Sequence, residues 1–196
     1  AEAMFTRALK LDPTYSLVWA NLGQVFSVTG QLDKAQKSFK NILNMEPNNA
    51  LIWAEYGTVL TKLAKYKEGR DAYLKALEFK PDSPRVHLSL GHVFKTMGEI
   101  DNSIDAYRKT IIKNNLSGEA YWSLANLKTY SFSENEIKDM EKTLEGDMSD
   151  IESSQMYFAL GKAYEVKKDF DNSFKNYYKG NKVKKSLIKY SSDDTT

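Results

Sequence analysis

Apolar residues recur along this chain with the period of an α-helix. Leu22, Val25 and Phe26 follow Trp19 at i+3, i+6 and i+7, which is one helical stripe. Ala35, Phe39, Ile42 and Leu43 repeat the stripe at i, i+4, i+7 and i+8. Gly30 lies between the two runs, where a left-handed glycine ends a helix. The pattern therefore predicts a helix pair, and the same pair returns. WANLGQVF around Gly23, WAEYGTVL around Gly57 and HLSLGHVF around Gly91 stand 34 residues apart. Four residues before each glycine is Trp19, Trp53 or His87, and one before is Leu22, Tyr56 or Leu90. Three after is Phe26, Leu60 or Phe94, and sixteen after is Phe39, Tyr73 or Tyr107. Pro13, Pro47 and Pro81 keep the same spacing and break the chain between units. The small residue lets two helices approach and the aromatic fills the space between them. A single pair cannot bury its apolar face, so successive pairs must stack. The expectation is an all-α array.

The spacing and the W–L–G–Y…A…F…A…P skeleton resemble the tetratricopeptide repeat (TPR) family. The resemblance implies a right-handed superhelical solenoid, here of about five helix pairs. Residues 1–13 read as the second helix of a truncated unit, with Ala1, Phe5, Ala8 and Pro13 in register. Residues 14–47, 48–81 and 82–115 read as full repeats. Residues 116–149 form a degenerate fourth unit, opened by Tyr121, Leu124 and Ala125, with Ala125 in the place of the small glycine. Residues 150–189 form a fifth unit around Gly161, with Leu160, Tyr164, Phe174 and Tyr177 and a basic last helix. The array spans 1–189 and residues 190–196 read as a polar linker. Ser133 with Glu136, and Ser149 with Glu152, have the spacing of capping boxes that start helices. Gly146 reads as the stop of the first of these.

Composition narrows the chemistry. Lys and Arg number 28 against 26 Asp and Glu, a net charge of +2 that gives a nucleic-acid partner no support. There is no cysteine, so disulfides, thiolate metal sites and cysteine nucleophiles are excluded. No run approaches the ~18 apolar residues of a membrane span. No signal peptide is visible, and a cytoplasmic chain without membrane attachment is expected. His87 and His92 are five apart, not the i, i+4 of a helical metal pair, and His87 occupies the packing position of Trp19 and Trp53. No metal site and no catalytic residue is expected. Eight lysines between Lys167 and Lys189 face only Asp169 and Asp171, the composition of a solvated helix face or, alternatively, of one that meets an anionic ligand or an acidic domain.

Register also places the inner groove of the expected array. It carries Leu17, Ala20, Gln24 and Ser27, then Leu51, Ala54, Thr58 and Thr61. Next come Arg85, Leu88, His92 and Lys95, then Glu119, Trp122, Asn126 and Thr129. Arg85, His92, Lys95, Trp122 and Asn126 are the large polar and aromatic members, and these are the candidate residues for gripping a peptide or protein segment. The carboxylate clamp that some TPR proteins use is effectively absent, with Ala20 and Gln24 in its first pair and Arg85 alone matching. The asparagine ladder of sugar-transferring TPR enzymes is absent too, since Glu55, Ser89 and Ser123 follow Asn21.

Residues 119–189 carry a narrower resemblance. Trp122–Lys128, Phe132, Ser133, Glu136, Ile137 and Met140 are followed by Phe158–Ala163, Asp169, Phe174, Tyr177, Gly180 and Asn181. This is similar to the segment that joins the TPR array to the catalytic domain in bacterial TPR-containing sulfotransferases. The resemblance implies a scaffold that is not itself an enzyme and takes no cofactor, in a longer PAPS-dependent sulfotransferase whose catalytic domain lies after Thr196. Its partners would be a protein or peptide segment and its own C-terminal domain. The alternative is a stand-alone TPR adaptor that assembles a multiprotein complex.

Overall fold

The computed structural model describes residues 14–187 together with Met4, Phe5, Arg7, Leu11 and Asp12. The remaining register positions of the truncated first unit, and the polar linker, lie outside the described residues. From Ser16 onward the described residues form helices joined by short turns: α1 Ser16–Val28, α2 Leu32–Met45, α3 Ala50–Lys62, α4 Tyr66–Phe79, α5 Pro84–Thr96, α6 Ile100–Lys113, α7 Gly118–Ala125, α8 Glu134–Leu144, α9 Asp150–Val166 and α10 Phe170–Leu187. The chain divides into two compact units, Ala1–Ser103 and Ile104–Thr196.

In the first unit α1 packs on α2, α2 on α3, α3 on α4 and α4 on α5. Val18, Leu22, Phe26, Ala35, Phe39, Ile42 and Leu43 make one buried cluster with Ile52 and Val59, and Phe5, Trp19 and Trp53 lean on it. Burying a side chain such as Phe39 or Ile42 contributes about 1.5–3 kcal/mol. The close approach within each pair is set where the sequence put it. A Cβ on Gly23 would stand 2.8 Å from the Phe39 ring, and one on Gly57 would stand 2.9 Å from the Tyr73 ring. His87 does what the tryptophan does one unit earlier. Trp53 Nε1 donates to the Pro47 carbonyl at 2.7 Å, and His87 Nε2 lies 3.0 Å from the Pro81 carbonyl. A carbonyl accepts only, so the imidazole holds its proton on Nε2.

The turns of α1–α2, α3–α4, α5–α6 and α9–α10 follow one backbone pattern. Gly30 and Gly98 have φ of +76° and +78°, and Ala64 and Lys168 take the same left-handed region at +59° and +63°. Only two of these four sites carry the residue that the conformation favours.

The second unit departs from the repeat. Helix α7 ends after 8 residues, and the chain turns through Phe132 into α8. Ser133 starts α8 with a complete capping box: its hydroxyl accepts from the Glu136 N–H, and the Glu136 carboxylate accepts from the Ser133 N–H at 2.8 Å. Tyr130 donates to the same carboxylate at 2.6 Å, and Arg108 reaches it at 2.9 Å. Burial alone would raise the Glu136 pKa, but these donors outweigh it and hold it down at about 2. Tyr130 is pushed up to about 12 by burial and by its bond to Glu136. Helix α8 stops at Leu144 with Glu145 as its cap, and Gly146 is not among the residues with positive φ.

The second expected capping box is half formed. Ser149 accepts from the Glu152 N–H at 3.3 Å. The Glu152 carboxylate does not return; it accepts from the Gly118 N–H at 2.5 Å and caps α7 instead. The helices touch so closely there that a Cβ on Gly118 would fall 2.1 Å from the Glu152 carbonyl oxygen.

Candidate functional site

The sequence-derived candidates fall in both units. In the first, Arg85 opens a cleft of about 100 Å³ between α3 and α5, lined also by Leu51, Ala54, Glu55, Thr58 and Tyr73. Its guanidinium lies 3.4 Å from Glu55, with 77% of the Arg85 side chain exposed. A pair so open to water contributes at most about 1 kcal/mol, so a ligand carboxylate competes for Arg85 at small cost. His92 is half-buried and Lys95 exposed, and neither lines this cleft.

In the second unit Trp122 and Asn126 part company. The Asn126 side-chain amide donates to the Trp122 carbonyl at 2.8 Å, closing the end of α7, and Asn126 faces a cleft with Lys128, Tyr130 and Lys162. Trp122 is half-buried and looks the other way, into a cleft of about 570 Å³. That volume is in the range of small-ligand and side-chain pockets. Its floor is aromatic: the Trp122 and Phe158 rings lie 5.7 Å apart, and Phe158 and Tyr177 lie 6.5 Å apart. Ile151, Ser154, Gln155, Lys184 and Leu187 complete it.

Phe158 is not among the groove candidates of the sequence, although it carries the same signal as Trp122. Phe158 precedes Gly161 by three, as Ala20, Ala54, Leu88 and Trp122 precede their own small residues. This groove position is small in the first two units and aromatic in the last two.

The depth of the cleft comes from helix length. Helices α1, α3 and α5 have 13 residues and α9 has 17; α2, α4 and α6 have 14 and α10 has 18. Gly161 sits later in α9 than Gly57 does in α3, so the extra turn of α9 is its first, which carries Ile151. The extra turn of α10 is its last, which carries Lys184 and Leu187. Gly180 makes room for the floor, since its Cβ would meet the Phe158 ring at 3.0 Å. Tyr177 anchors its hydroxyl on Glu165 at 2.9 Å, and Lys162 with Tyr177 holds the Glu165 carboxyl below the usual range. Phe174, which sequence placed in the skeleton of this unit, is 73% exposed and stacks on Tyr178 on the outside of α10.

Among the described residues no cluster of three His, Cys, Asp or Glu could hold a metal ion. None of their helices is long and apolar enough to cross a membrane.

Comparison with known proteins agrees with this architecture. A family model described as TPR repeat matches residues 57–98, and one described as tetratricopeptide repeat matches residues 4–37. No curated protein sequence matches the chain. Among solved structures, YrrB, described as a TPR protein with an unusual peptide-binding site, is 18% identical with a TM-score of 0.66, over 91% of each chain. MamA from Desulfovibrio magneticus RS-1 is 18% identical with a TM-score of 0.66, over 87% of this chain and 96% of that one. PilF of Pseudomonas aeruginosa is 20% identical with a TM-score of 0.67, over 89% of this chain and 79% of that one. At these identities the likeness is one of fold.

The sulfotransferase-connector resemblance draws no support from these matches. Its residues have a structural reason to be where they are: Leu124, Ala125, Phe132, Ile137, Met140, Ala159, Leu160 and Ala163 are core residues of the second unit.

Proposed function

From a chain that carries tetratricopeptide repeats, a fold that serves protein interaction, we propose that it holds an extended segment of a partner protein, with the Trp122–Phe158 cleft as anchor. The observation that carries this reading is the change at one register position from Ala20 and Ala54 to Trp122 and Phe158, beside a cleft that opens to solvent. Aromatic side chains in such pockets are where binding energy concentrates. Arg85, His92 and Lys95 in the first unit and Asn126 in the second remain candidate contacts within their own units, Arg85 lining the cleft between α3 and α5 and Asn126 the one with Lys128 and Lys162. The peptide-binding site by which the TPR neighbour YrrB is described supports the class of ligand.

The test is to isolate a partner on the immobilised chain and measure its affinity for wild type and Trp122→Ala by calorimetry. Loss of about 2 kcal/mol or more, roughly 30-fold, is expected. Equal affinity would place the partner on another surface.

The placing of this array in a cytoplasmic bacterial sulfotransferase is a finer proposal that rests on the 119–189 pattern alone. It expects a strand, a short phosphate-cradling loop and a helix after Thr196 in the gene product. It also expects no PAPS binding by residues 1–196, because converging backbone donors are what hold such an anion. A different downstream domain would leave the adaptor reading in its place.

A further inference from the structure

The charges around the anchoring cleft are one-sided. Of the described residues that line it, Lys184 is the only ionised one, and no carboxylate is among them. Its ammonium stands 5.9 Å from the centre of the Phe158 ring, so the charge sits at the aromatic floor. Glu165, an acid tied to the cleft wall through Tyr177, is already engaged by Tyr177 and Lys162. Gln155 lines the cleft at the register of Arg85, and among the described residues its side chain makes no hydrogen bond. A carboxamide donates and accepts, which matches the backbone of an extended strand. Ile151 and Leu187 stand at the mouth on the two extra turns, 59% and 44% exposed.

We propose that this cleft selects a partner segment in which a large apolar side chain is flanked by a carboxylate. The apolar side chain lies against Trp122 and Phe158, Gln155 pairs with the segment's backbone, and the carboxylate meets Lys184. This rests on the reading of the cleft as the anchor and adds the chemistry of its ligand. Charge complementarity favours the acidic flank. A basic flank would bring like charges together over the Phe158 ring, and such juxtaposition is how interfaces reject wrong partners. Lys184 is thereby a specificity-determining residue and Trp122 an affinity-determining one.

The experiment uses the whole chain and two fluorescein-labelled decapeptides, one with a central Phe flanked by Asp on both sides, the other identical but with Lys for each Asp. Fluorescence anisotropy is read at low salt. The Asp peptide is expected to bind at least tenfold tighter than the Lys peptide. Lys184→Glu should reverse that order, Lys184→Gln should abolish the preference, and Lys184→Arg should keep it. Trp122→Ala should weaken the Asp peptide at least tenfold, with circular dichroism confirming that each variant is folded. Equal binding of the two peptides by wild type, or a preference that survives Lys184→Glu, overturns the charge selection. If both peptides bind alike and Trp122→Ala removes both, the anchor stands and only its chemistry is wrong. If the Asp peptide does not bind, the selection is refuted. Binding that Trp122→Ala leaves unchanged refutes the anchor as well.

Discussion

At the scale of single residues, the turn inside each helix pair shows where backbone geometry and residue type disagree. Gly30 and Gly98 meet the left-handed conformation without cost, while Ala64 and Lys168 hold it with a Cβ. For an L-residue that region is unfavourable by roughly 1–2 kcal/mol. A glycine there relieves the clash and gives back part of the gain through the greater freedom of the unfolded chain, roughly 0.5–1 kcal/mol. Ala64→Gly is therefore expected to raise the midpoint of urea unfolding, by about 0.5 kcal/mol of stability. Ala54→Gly, in the interior of α3, is expected to lower it by about 0.5–1 kcal/mol. Equal losses in the two variants would show that position 64 carries no strain. The glycines 23, 57 and 161 were legible in the sequence because each is followed sixteen residues on by the aromatic it faces. Gly118 was not, because the backbone it accommodates belongs to Glu152.

At the scale of the element, α8 is held by its buried Ile137 and Met140 and by one carboxylate at its start. Its 11 residues are too few to be stable alone, and Glu136 ties its start to Tyr130 and Arg108. The folded-state pKa of Glu136, about 2, lies below the ordinary value of 4.5. The unfolded chain thus binds this proton more readily than the folded one. The stabilisation is complete above pH 4.5 and drains away as the pH falls toward 2. Glu136→Gln removes this dependence. Urea unfolding at pH 6 and pH 3 is expected to show a smaller difference between the two pH values in Glu136→Gln than in wild type. An equal difference would mean that the carboxylate is not ion-paired in solution. The capping box itself was readable from Ser133 and Glu136, three apart. Ser149 and Glu152 have identical spacing, yet the Glu152 carboxylate turned to the N–H groups at the start of α7, which the tight packing at Gly118 brings against it.

At the scale of the whole molecule, the array holds together through neighbours. In the first unit consecutive helices from α1 to α5 pack on one another, with α3 also reaching α5. Such chains lose structure locally. Gly57→Leu must push α3 off Tyr73, and overpacking of this kind costs about 1–3 kcal/mol. Hydrogen exchange followed by mass spectrometry is expected to show faster exchange in α3 and α4, less in α1, and unchanged rates in α9 and α10. A uniform acceleration through α10 would mean that the chain unfolds as one cooperative body.

The sequence by itself determined the helices, their pairing and the core. A 34-residue period fixes which side chains must face each other, whatever surrounds them, so Gly57 and Tyr73 could be matched before any coordinates. It also brought out Trp122, because an aromatic at a groove position stands out against Ala20 and Ala54. Only the tertiary structure decided what Trp122 does. The cleft needs Phe158 from the following unit, a turn added to the start of α9 and another added to the end of α10. Those turns carry Ile151, Lys184 and Leu187, positions to which the repeat assigns no role. Asn126 shows the same limit from the other side: register placed it beside Trp122, and the early end of α7 turned it to cap the helix. Periodicity reports contacts that recur in every unit. A binding site is made where one unit differs from the rest, and its neighbours come from distant parts of the chain that only the fold brings together.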